Sequence, residues 1–236
     1  MLIDDHSIVI YTNPDTSRSY TYAQVHSTAL DFGKGLKSEW NWQKGDVLAL
    51  YTPNCIDTPA IIWGTHWAGG VVSPANPGYT SDELAFQLKD ARAKALVTQT
   101  SFLKTACEAA KKAGVPEDRI ILLGEKKDEI GKFKHFSDIR HMPGLTLSKR
   151  AKVDPITDLA FLVYSSGTTG LPKGVMLSHK NIIANIMMVH ASDEGNLSWK
   201  GGKDGKGDKH LAILPFFHIY VLSPNISLYY LIQGFY

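Results

Sequence analysis

Between Tyr164 and His179 the chain reads YSSGTTGLPKGVMLSH, in which five serine and threonine hydroxyls, three glycines and one lysine stand between two apolar runs. Gly167, Gly170 and Gly174 let the backbone turn and approach a ligand closely, while Ser165, Ser166, Thr168 and Thr169 offer hydroxyl donors beside their own N–H groups. Lys173 adds a mobile positive charge. Charge-assisted hydrogen bonds of this kind contribute roughly 1.5 to 3 kcal/mol each when shielded from water. The natural guest for such a concavity is a phosphate.

The order of residues says which phosphate loop this is not. A Walker loop ends in Gly-Lys-Ser/Thr and opens a helix directly, whereas here Lys173 precedes Gly174 and a short strand follows. A G-x-S-x-G nucleophile elbow is absent, since the serines stand as Tyr164-Ser165-Ser166-Gly167. A Ser-Ser-Gly amidase-like site would use the same serines but has no obvious base nearby. A plain solvated turn would share the composition, but not so long an ordered string.

A second group of chemically capable residues lies in LPFFHIY, Leu214 to Tyr220. Leu211 to Phe217 reads as a buried strand, and His218 sits where that strand runs into SPNISLYYLIQG, a helix capped by Ser223 with Pro224 at its first position. A histidine at a strand end is, by itself, more often a structural residue than a catalytic one.

The elements that must position these residues alternate along the chain. LAFLVY, Leu159 to Tyr164, reads as a buried strand, Gly174 to Leu177 as a second short one, and Ile182, Ile183, Ile186, Met187 and His190 recur at helical spacing behind Ser178 as N-cap. Upstream, helices are predicted over Tyr22 to Lys37, Thr58 to Ala68, Ser81 to Ala91 with Thr80 and Glu83 as a capping box, and Phe102 to Ala113 stopped by Gly114. Strands are predicted over Val47 to Tyr51, Gly70 to Ser73, Lys94 to Thr98 and Ile120 to Leu123. This βαβ rhythm implies an α/β fold with a largely parallel sheet and helices on both faces. Residues 124–157 read as an irregular linking excursion, and WKGGKDGKGDKH, Trp199 to His210, as a solvated loop.

Composition sets wide bounds. The chain has 236 residues, 44% hydrophobic and 20% charged, as an ordinary globular domain does. A formal net charge of +2 with dispersed basic residues gives no nucleic-acid stripe. Cys55 and Cys107 lack metal-ligand spacing and read as free thiols. No apolar run approaches the ~20 residues of a membrane span. A cytoplasmic or peroxisomal-matrix protein is expected.

YSSGTTGLPKGVMLSH resembles the phosphate-loop signature of the adenylate-forming, or AMP-binding, superfamily, and the stretch from Gly45 to Thr98 is similar to the region before that loop in 4-coumarate:CoA and phenylacetyl-CoA ligases. RSYTYAQV and LPFFHIY fit the same group. The resemblance implies an ATP-dependent carboxylic acid:CoA ligase acting on aryl or arylacetyl acids, with medium-chain fatty acids as the alternative acid and a non-catalytic or truncated nucleotide-binding protein as the alternative function. ATP, Mg²⁺ and CoA would be its cofactors and cosubstrates. Ser165, Ser166, Gly167, Thr168, Thr169, Gly170 and Lys173 would hold the nucleotide phosphates, with Thr168 toward the metal. His218 would lie beside the reacting carboxyl and Tyr220 would line the acyl pocket. By the same resemblance residues 46–198 form one lobe, residues 10–45 and 208–236 form part of a second, and the C-terminal domain bearing the catalytic lysine is absent, so that the chain is an N-terminal fragment, inactive alone.

Overall fold

The computed structural model of the chain describes residues 9–141, 148–165, 172–192 and 211–219. Two short antiparallel strands, β1 (Val9–Thr12) and β2 (Ser19–Thr21), lead into α1 (Tyr22–Trp40), whose first turn is closed by a capping box between Thr21 and Gln24. Then strands and helices alternate: β3 (Val47–Tyr51), α2 (Thr58–Trp67), β4 (Val71–Ala75), α3 (Ser81–Asp90), β5 (Ala93–Gln99), α4 (Leu103–Ala113) and β6 (Ile120–Leu123). A short excursion adds β7 (Lys134–His135) and α5 (Phe136–Arg140), after which come β8 (Leu159–Ser165), β9 (Lys173–Ser178) and α6 (His179–Ser192). Among the described residues no helix is long and apolar enough to cross a membrane.

The large sheet has seven strands in the order β7-β6-β5-β3-β4-β8-β9, parallel throughout except for the antiparallel β8–β9 pair. Its apolar residues divide by strand periodicity. Leu48, Leu50, Val72, Ala95, Val97, Ile121 and Leu123 face one cluster with α1, α2, α5 and α6, whereas Ala49, Tyr51, Ala75, Leu96 and Ile120 face the other with α3 and α4. Helices therefore cover both faces, as expected of a parallel sheet. α2 is buried almost all round because it lies between the sheet and α1.

That sandwich needs two glycines in contact. A Cβ on Gly33 of α1 would lie 2.5 Å from the carbonyl oxygen of Gly64 in α2, and one on Gly64 would lie 2.5 Å from that of Ala29. The helices cross backbone to backbone there.

Two expectations are corrected. Residues 124–157 are not wholly irregular: β7 extends the sheet and α5 packs Phe136 and Ile139 into the first-face cluster. Leu211 to Phe217 is not a buried strand. Leu211 and Ile213 are 79% and 74% exposed, Pro215 has no N–H to donate, and the backbone groups of Ala212, Leu214 and Phe216 bond to the side chain of Asn54 instead of to a strand. Phe32, Leu36, Trp40 and Trp42 are buried in the cluster they share with the sheet. The expected loop at 199–210 and helix after Ser223 lie outside the described residues.

Candidate functional site

β8 and β9 frame the hydroxyl-rich loop. Their register pairs Val163 with Val175, Tyr164 with Gly174 and Ser165 with Lys173, so the last described serine before the loop faces the lysine after it. Ser165 and Lys173 are both exposed. Ser166, Gly167, Thr168, Thr169 and Gly170 lie outside the described residues, as does Tyr220. The strands and helix expected on either side of the loop are present as β8, β9 and α6, and α6 begins at a cap in which Ser178 Oγ accepts from the N–H of Asn181 at 3.3 Å.

Tyr164 fixes the mouth of the hairpin. Its phenol donates to Asp90 Oδ2 at 2.5 Å, joining the end of β8 to the last turn of α3, and burial followed by the Asp90 carboxylate raises its pKa above the usual phenol value. Its ring also lies over Gly174. A Cβ there would meet Tyr164 Cζ at 3.0 Å, so glycine is what allows the ring to cross the strand pair.

Beneath the hairpin sits a buried pair of histidines. His66 of α2 meets His179 of α6 edge to face at 5.0 Å between ring centroids, and contacts Phe161 of β8 in the same way at 5.0 Å. His66 Nε2 lies 2.9 Å from the Ala160 carbonyl oxygen, which makes it the donor and leaves Nδ1 without a hydrogen-bond partner among the described residues. Burial, then the neighbouring His179, pulls the His66 pKa down to about 3; burial lowers that of His179 as well, against the Asp158 carboxylate. Both rings are neutral packing groups at ordinary pH.

The β4 strand ends unusually for an interior position. β4 and β8 register at Val72 and Phe161, and farther along, Pro74 offers no N–H while its carbonyl accepts from Gln87 Nε2 at 3.1 Å. Ligands of open α/β sheets gather outside the carboxyl ends of the strands. At this edge stand the end of β8 at Ser165, the Asn76–Tyr79 turn after β4, and the Thr52–Asp57 turn after β3.

The β3 turn carries two features that spacing alone did not reveal. Asp57, 2% exposed, accepts from Tyr20 Oη at 2.5 Å and pairs with Arg18, whose guanidinium also reaches Glu125 at 2.7 Å. Burial opposes the Arg18 charge, but the two carboxylates outweigh it and hold the pKa above its ordinary value. Cys55 beside them is pushed up to about 12, by burial first and then by the Asp57 charge. A cleft of about 310 Å³ opens here between Arg18, Asp57, Lys127 and Arg140, with the opposite charges largely paired across it. The second feature is Asn54, which bonds the segment leading to His218. That histidine is exposed, and its N–H closes a turn onto Pro215 O at 3.0 Å.

The chain is similar in sequence and fold to known proteins. The family model described as AMP-binding enzyme matches residues 4–234. A long-chain-fatty-acid–CoA ligase of Bacillus subtilis is 33% identical over 226 residues, covering 87% of this chain and 39% of the ligase. A 4-coumarate–CoA ligase of Petroselinum crispum is 31% identical over 223 residues, covering 94% and 38%. Among solved structures, ATP-bound MatB of Rhodopseudomonas palustris matches in fold with a TM-score of 0.75 at 23% identity, over 98% of this chain and 42% of that one. The chain thus spans about two-fifths of the length of the curated relatives it matches.

Proposed function

The chain belongs to the AMP-binding enzyme family, and from that premise we propose that it supplies the N-terminal nucleotide-binding part of an ATP-dependent carboxylic acid:CoA ligase. A carboxylate attacks the α-phosphorus of ATP and pyrophosphate leaves, giving an acyl-adenylate. The thiol of CoA then attacks the acyl carbon and AMP departs. Neither step needs a protein nucleophile; both need charge held in place. The observation that carries this reading is the β8–β9 hairpin, which faces Ser165 with Lys173 at the carboxyl edge of the sheet.

Ser165, Ser166, Gly167, Thr168, Thr169, Gly170 and Lys173 hold the phosphates that become pyrophosphate. The donor set, hydroxyls and an ammonium with no carboxylate between Ser165 and Lys173, fits a Mg²⁺ ion bound chiefly through phosphate oxygens and water, with Thr168 as the protein's ligand. The ion would neutralise charge on the leaving group. His218 lies by the reacting carboxyl and Tyr220 lines the acyl pocket, which suits an aryl or arylacetyl acid: apolar ring surface beside a polar tip. The relatives named as 4-coumarate–CoA ligases support that class, and the ligase named for long-chain fatty acids supports an aliphatic acid as the second reading.

Pyrophosphate release by the intact protein over a panel of aromatic and aliphatic acids tests the proposal. Aryl or arylacetyl acids should exceed aliphatic ones, Tyr220→Ala should move the ranking toward bulkier acids with the apparent KM for ATP unchanged, and residues 1–236 alone should show no ATP–pyrophosphate exchange. Silence of the intact protein with every acid would refute the ligase reading.

A further inference from the structure

Asn54 stands three residues past the end of β3 and engages its whole carboxamide with one distant segment. Nδ2 donates to the carbonyl oxygens of Ala212 at 3.0 Å and Leu214 at 2.9 Å, and Oδ1 accepts from the N–H of Phe216 at 2.7 Å. The mixture of acceptors and donor fixes which way the amide points, because a flip would set two carbonyls against its oxygen. Just beyond, the His218 N–H turns back onto Pro215 O, and Phe216 and Ile219 pack against the first-face cluster. His218 therefore lies two residues from a clamped amide and between two apolar anchors.

We infer that Asn54 is a positioning residue that seats this segment on the carboxyl edge of the sheet and so sets His218 toward the acid; the inference rests on the role of His218 in the proposed function. The described part of this segment lies in no strand ladder that would fix its path, and Leu211 to Pro215 are exposed. Three hydrogen bonds from one side chain hold the register that a neighbouring strand would otherwise hold.

The test compares Asn54→Asp and Asn54→Ala in the intact protein. The aspartate keeps shape and one acceptor but turns an oxygen toward two carbonyls, and the alanine removes all three bonds. Acid-dependent adenylation should fall about 10-fold or more in both, the scale of losing three net hydrogen bonds at once, with the KM for ATP unchanged. In a His218→Ala background Asn54→Asp should add little, since residues acting as a unit are not additive. Equal losses in both backgrounds, or a parallel rise in the KM for ATP, would overturn the inference. Amide hydrogen exchange gives a readout independent of turnover: Phe216 should exchange faster in Asn54→Ala while α2 keeps its protection. Unchanged exchange at Phe216 removes the clamp; changed exchange in a protein that adenylates no acid removes the ligase reading and the role of His218 while leaving the clamp.

Discussion

Lys173 lies on a strand whose pairing with β8 is made by backbone groups, so its side chain can be removed without undoing the hairpin. Lys173→Ala should lower the adenylation half-reaction by about 10²- to 10³-fold, the usual loss for one preorganised donor at a site of developing charge. The thiol half-reaction, started from synthetic acyl-adenylate, should change little; equal losses in the two halves would mean misfolding. A second outcome concerns His66 and His179. Their folded pKa values lie below the ordinary 6.5, so the unfolded chain binds protons more readily. The stability they confer is whole above pH 6.5 and is lost progressively as pH falls toward about 3. Urea midpoints should drop over that window, and His66→Phe should flatten the drop. The hydroxyl loop and Lys173 stand out in the sequence as a candidate phosphate site because their chemistry is contiguous. Asn54, Asp57 and the histidine pair do not, because their partners lie tens of residues away and no spacing records them.

The α1–α2 crossing makes the next scale testable. Gly64→Ala would set a methyl 2.5 Å from the Ala29 carbonyl oxygen, a backbone atom that cannot swing aside. Overpacking of this kind costs about 1 to 3 kcal/mol or more, which thermal denaturation should show as a fall in Tm, with Gly33→Ala behaving alike. Elements whose ends carry side-chain signals were legible: the Thr80–Glu83 capping box opens α3 as expected, and α4 stops at Gly114 in the left-handed region at φ 78°. β7 and α5 were missed because a two-residue strand and a five-residue helix hold too few positions to show a period. Sequence alone places the end of β4 at Ser73, before Pro74, whereas the strand runs to Ala75 with Gln87 bonding the proline carbonyl. The apolar composition of Leu211 to Phe217 suggests a strand, but composition does not say where its backbone groups find partners.

At the scale of the whole molecule, one sheet edge brings together the end of β8 at Ser165, the start of β9 at Lys173, the turn after β3, and the segment bonded to Asn54. The helix expected over Tyr22 to Lys37 is present as α1, and its buried face lies over α2, against the same cluster as the sheet. The two ends of the sheet are unlike. β7 is two residues long, whereas β9 presents six residues with Val175 46% and Met176 69% exposed. Among the described residues β9 pairs on one side alone. A long outer strand with apolar side chains is a template on which another chain can add itself, and a lysine there is the usual deterrent. Light scattering from residues 1–236 should therefore rise with concentration through self-association, and Met176→Lys should suppress that rise while leaving the far-UV spectrum unchanged.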